Sequence, residues 1–320
     1  MQASFRIFRN SFFAFYFLAL PLLGFSQATL AYHLGDHVTI TRLAIQEFQK
    51  CYPQLMTSQE PFFIFSSDLE EDINVIRKDF IYSHYFNPQK SLSMFRYDSS
   101  VRVQRLAQAL QSDRNSILQY IHLGHALHHI QDMSVPVHVT PIGHGLSDGF
   151  ETYKLKSPLA ATGLSCRELE NLALETRDLP ELLLLSANQT LEALSKISVS
   201  ITKIDSSGQQ TFPVDASSFW KIAPGNEFGT YGALGKHFGE PEIQFSQSKV
   251  LVPSVFYENF KRQQMISSVI RSWIVLYQFH KPSSRSLSHP LTNTLASNDV
   301  NPLSLLRMQS FQDLAHAFSF

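Results

Sequence analysis

The chain has 320 residues, 44% of them hydrophobic and 17% charged, with a formal net charge of −1. It is long and apolar enough for one large core or two modest ones, which excludes a chain disordered by composition. The near-neutral balance also lacks the basic excess of a nonspecific nucleic-acid binder.

Residues 1–31 read as a secretory signal peptide. Arg6 and Arg9 precede the apolar run FFAFYFLALPLLGF, and small residues follow in SQATLA. The run spans 14 residues, short of the roughly 20 that a membrane-spanning helix needs. Removing Arg6 and Arg9 with it leaves 24 basic against 27 acidic residues, a formal charge of −3. The mature chain is expected to be all-α. Apolar residues at three- and four-residue steps predict helices over 38–52, 101–111, 115–133, 168–176, 179–197 and 254–279. Glycines and prolines concentrate between Gly208 and Pro241, so 205–245 should form long loops or a small hairpin on the helical body. Phe219, Trp220, Phe228, Tyr231 and Phe238 in that region suit either core packing or contact with lipid. Residues 281–302 read as a flexible linker or tail, and the last 18 residues as a short docked helix. The expected organisation is a signal peptide over 1–31, one helical domain over 32–280 and a linker with a C-terminal tail over 281–320. Cys51 and Cys166 are the two cysteines; a disulfide and a pair of buried thiols both remain open.

Chemistry concentrates in one stretch. HALHHIQDMSVPVHVTPIGHGLSDGFETY, residues 125–153, holds five histidines, two aspartates and a glutamate, and nine of the 13 histidines lie between His33 and His144. His128 and Asp132 are four residues apart, so on a helix they share one face and can close on one metal ion. Pro136 ends that helix, because it lacks an N–H donor and pushes Val135 into extended backbone. His138 follows six residues after Asp132, and His144 with Asp148 repeats the four-residue step. His122, His125 and His129 lie at other angles of the same helix and read as packed or solvated. Gly145-Leu-Ser147-Asp-Gly149 matches the GxSxG elbow of serine hydrolases, but TPIGH before it is not the apolar strand that an elbow requires.

With HxxxD at 128–132 and a histidine at 138, the chain resembles the zinc-dependent bacterial phospholipases C, which share an all-helical fold with the fungal single-strand-specific nucleases. YHLGDH puts Tyr32 five residues before His37 and directly after Ala31, like the family's mature N-terminal residue, which ligates zinc through its amine and carbonyl. SSDLEED and SHYFNP resemble the family's acidic ligand and following histidine, which points to Asp72 and His84. The likeness covers about residues 32–155.

The resemblance implies three zinc ions per chain. One would be held by Tyr32 with His37, and a second by Asp72, His84 and His128 with Asp132 bridging. A third would be held by His138, His144 and a carboxylate. Spacing gives Asp148 preference for that last ligand, whereas the likeness of GFETY to the phospholipases' FET segment favours Glu151. The implied chemistry is hydrolysis of a phosphodiester by activated water, with Asp72 or Asp132 orienting the water and taking its proton. The expected substrate is glycerophospholipid at a membrane surface, cleaved by a secreted, monomeric enzyme with no stable nucleic-acid partner. The alternative is a zinc-dependent nuclease.

Overall fold

In the computed structural model the described residues are 34–56, 60–73, 84–89, 98–112, 117–143, 148–222 and 228–280, the side chains of 34 and 69–73 excepted. Residues 1–31, expected to form a signal peptide, Tyr32, His144, Ser147 and the expected C-terminal tail lie outside them.

The predicted helices form, with ends that differ by up to four residues: α1 (Leu34–Cys51), α3 (Ser99–Ser112), α4 (Ile117–Asp132), α7 (Cys166–Glu175), α8 (Leu179–Lys196) and α9 (Ser254–His280). Three more helices complete the set among the described residues: α2 (Glu60–Ile73), α5 (Pro136–Val139) and α6 (Gly149–Thr152). Side-chain caps set several of the starts. Ser165 and Glu168 form a capping box before α7, and Asp178 accepts from Glu181 N ahead of α8.

The expectation of an all-α chain needs correction. A four-stranded antiparallel sheet, in the order β2-β1-β6-β5, is formed by β1 (Ser198–Asp205), β2 (Gly208–Asp215), β5 (Glu242–Gln244) and β6 (Ser248–Leu251). A second, two-stranded sheet pairs β3 (Trp220–Lys221) with β4 (Thr230–Tyr231). The first hairpin turns over two residues, with Asp205 opposite Gly208. Gly208 has φ +121°, a conformation that side chains with a Cβ rarely adopt. Pro213 is tolerated because β2 is an edge strand.

Helix α4 runs through the core. Eleven of its residues are buried, among them Leu123, Ala126, Leu127 and Ile130. Its closest neighbour is α2. A Cβ placed on Gly124 would lie 2.4 Å from the carbonyl oxygen of Ile64 and 2.7 Å from Ser67 Cβ. The missing side chain at 124 therefore lets the two backbones meet, which sets Asp68 of α2 against His128, one turn along α4. Cys51 at the end of α1 is disulfide-bonded to Cys166 at the start of α7. Phe219, Trp220 and Phe238 are buried at 0%, 0% and 4% exposure, which resolves their role as core packing. No described helix is long and apolar enough to cross a membrane.

Candidate metal centre

Asp132, the last residue of α4, is 1% exposed and is faced by four imidazoles. Its Oδ2 lies 2.8 Å from His84 Nδ1 and 3.4 Å from His128 Nε2. Its Oδ1 lies 3.3 Å from His138 Nδ1 and 3.5 Å from His37 Nε2. The outer groups extend the cluster: Asp68 Oδ1 is 3.2 Å from His128 Nδ1, and Glu151 Oε1 is 3.2 Å from His138 Nε2. All seven side chains are buried to 2% exposure or less.

Local sequence explains the convergence. Helix α4 carries His128 and Asp132 on one face, one turn apart. Val135 then takes φ −95° and ψ 117°, Pro136 stands at the start of α5, and the turn returns His138 to Asp132. The backbone just after His84 is tied in place: Phe86 N donates to the His138 carbonyl, and Ser99 N donates to that of Tyr85. Helix α1 delivers His37, whose ring stacks on His128 with centroids 4.2 Å apart.

In the metal-free protein the charges of the cluster balance one another. Burial lowers the His84 pKa well below its ordinary value against the pull of Asp132, so this ring stays neutral with a lone pair to offer. Burial would raise Asp132, but the charges of His128 and His138 hold it well below the usual carboxylate range. Burial would lower His138 too, yet Asp132 and Glu151 raise it to about 9.

The donor set fits a metal. His37, Asp68 and His128 form one group, and His84, His128 and Asp132 another, whose ligating atoms lie within 4.8 Å of one another. Asp132 Oδ1 is buried and makes no hydrogen bond among the described residues. Such an atom carries a large desolvation cost unless a cation faces it. Imidazole and carboxylate are the ligand types zinc accepts.

Three candidate ligands need separate comment. Asp72 was the acidic ligand expected in SSDLEED; its side chain lies outside the described residues, and the carboxylate brought to the histidines is that of Asp68, one turn earlier. Asp148, preferred by spacing, caps α6. Its Oδ1 accepts from Phe150 N, and its Oδ2 accepts from Trp220 Nε1 and Tyr231 OH, each at 3.1 Å. Glu151 is the carboxylate that faces His138. Tyr32 and His144 lie outside the described residues.

Sequence reading also passed over Lys261. It is 0% exposed on α9, pairs with Asp36 Oδ2 at 2.7 Å, and donates to the carbonyls of Phe150 and Glu151 at 2.8 and 3.3 Å. It thereby ties the short helix carrying Glu151 to the start of α1. A single lysine in a long helix gives no signal of such a role.

Replacing Glu151 by glutamine should remove metal from the His138 side of the cluster, as read by metal analysis. Asp148→Asn should leave metal content unchanged and lower stability by about 1–3 kcal/mol, the cost of weakened hydrogen bonds to a buried charge. Equal metal loss in both would contradict the assignment.

The raised pKa of His138 predicts a pH dependence. Its imidazolium stabilises the metal-free fold fully below the ordinary value of 6.5, and that contribution is lost as pH rises through about 9. The urea midpoint of chelator-treated protein should fall across that window, and metal uptake at pH 7.5 should release protons into weak buffer.

No protein-family model matches the chain, and no curated protein matches it either. Among solved structures, the chain is similar to the crystal structure of the Clostridium perfringens alpha-toxin isolated from avian strain SWCP, at 11% identity and a TM-score of 0.46. The alignment covers 80% of this chain and 65% of that one, so the chain spans less than two thirds of the toxin's length.

Proposed function

We propose that this protein is an exported zinc-dependent phosphodiesterase, and specifically a phospholipase C acting on glycerophospholipid. The observation that carries this reading is Asp132, a buried carboxylate with imidazoles within 3.5 Å of both oxygens. A carboxylate in that position can bridge two cations.

His84, His128 and Asp132 would hold one zinc; His37 with Asp132 and the amine of Tyr32 a second; His138, Glu151 and His144 a third. Zinc in these positions supplies Lewis acidity towards phosphoryl oxygens and acidifies water. The chain's own contribution is preorganisation. Asp132 stays ionised among the imidazoles and can orient the attacking water. Asp68 accepts from Thr41 Oγ1 at 2.7 Å, which fixes its carboxylate against His128. Burial keeps bulk water from competing for these groups.

The formal charge of −3 after loss of the signal peptide favours lipid over a polyanion, whose binding draws on basic side chains. The Cys51–Cys166 disulfide supports an oxidising destination. Purified mature protein should release diacylglycerol from phosphatidylcholine or phosphatidylglycerol vesicles, and a chelator should abolish the release. Cleavage of single-stranded DNA or RNA without lipid turnover would move the assignment to the nuclease branch. Chelator-insensitive ester hydrolysis lost in Ser147→Ala would replace the metal reading altogether.

A further inference from the structure

We infer that Gln131 is a positioning residue that sets the tautomer of His37 and puts the ring's lone pair on Nε2, the atom that would ligate a cation; this rests on the metal-centre reading above. Gln131 is 0% exposed and precedes Asp132 on α4. Its Oε1 lies 2.6 Å from His37 Nδ1, while its Nε2 donates to Thr41 Oγ1 at 2.7 Å and to Ser272 Oγ at 3.1 Å.

The direction of each bond follows from the one before it. Thr41 Oγ1 donates its single hydroxyl proton to Asp68 Oδ2, 2.7 Å away. Thr41 Oγ1 can then only accept from Gln131, which requires the NH₂ end of the amide to face it. The carbonyl end is left facing His37, and it can only accept. His37 Nδ1 must therefore carry the proton, and the lone pair of the neutral ring is on Nε2. That nitrogen faces Asp132 Oδ1 at 3.5 Å. A hydrogen-bond chain anchored on one acidic residue of the cluster thus prepares a histidine on the other side of it. Metal-bound histidines are commonly held in this way by an acceptor on the far ring nitrogen, and loss of the acceptor costs about 10- to 100-fold in metal affinity.

The test uses mature full-length protein labelled with ¹⁵N-histidine, with zinc as the probe. Long-range ¹H–¹⁵N spectra of the metal-free protein should show His37 as the Nδ1–H tautomer, and zinc should shift its Nε2. Gln131→Met removes the acceptor, so the Nε2–H tautomer should appear and the zinc held by His37 should weaken about 10- to 100-fold. Gln131→Glu keeps an acceptor and should restore both signals. If Gln131→Met fails to fold, Thr41→Val should also populate the Nε2–H tautomer, since it removes the hydroxyl that orients the amide. Unchanged tautomer and zinc affinity in the variants, with a normal zinc response in the wild type, would overturn this inference alone. A wild-type His37 that does not respond to zinc would overturn the metal reading and this inference with it.

Discussion

Asp132→Asn is expected to strip zinc from the protein and to lower kcat/KM on phospholipid vesicles by about 10³-fold or more. Asparagine keeps the volume and one acceptor but removes the charge on which four imidazoles converge. Lewis-acid stabilisation is worth several kcal/mol, and each 1.36 kcal/mol is a factor of about ten in rate. Metal content should fall in parallel with activity, because both oxygens of this side chain face candidate ligand sets. A variant that keeps its zinc and its turnover would remove the foundation of the proposal. Circular dichroism should be near that of the wild type, which separates loss of the site from loss of the fold.

The second large effect concerns stability. Replacing Cys51 and Cys166 together by serine opens a loop of 115 residues, and the chain-entropy relation puts the loss at about 5 kcal/mol. For a domain of this size that corresponds to a fall in Tm of about 10–15 °C. The same result should follow from reduction of the native protein before a thermal scan. Because Cys51 closes the helix that carries His37, added zinc should recover part of the loss. A reduced protein melting within about 2 °C of the oxidised form would show that packing against α9 holds α7 without help from the bond.

Residues close together in sequence were the ones that could be read directly. His128, Asp132 and His138 follow from helix periodicity and the proline break, since their geometry is local. Asp68 was not legible in the same way: 68 and 72 lie on one helical face about 6 Å apart along the axis, and the level of α2 against α4 is decided by the contact at Gly124. The roles of Asp148 and Glu151 had a usable signal. An Asp followed three residues later by Glu is a capping pattern, and Asp148 is the cap. The sheet was missed because β1 follows α8 with one residue between them, and β2 is largely exposed and lacks an apolar face. Gln131 and Lys261 act through partners 90 or more positions distant, which no local pattern reports.

His128 belongs to both cation-compatible groups, and it enters them by opposite edges of its ring. Nδ1 looks towards Asp68 and Nε2 towards His84. A neutral imidazole has one lone pair, so the ring can serve one group at a time unless it is stripped to imidazolate. Occupancy is therefore capped by lone pairs and not by the number of acidic side chains nearby. With Asp68 accepting the Nδ1 proton, the vote of His128 goes to the His84 side, and Asp68 becomes the counter-anion that keeps it there. A stoichiometric zinc titration should consequently place an ion on the His84 side of His128 and none on its Asp68 edge, and Asp68→Asn should relax that allocation.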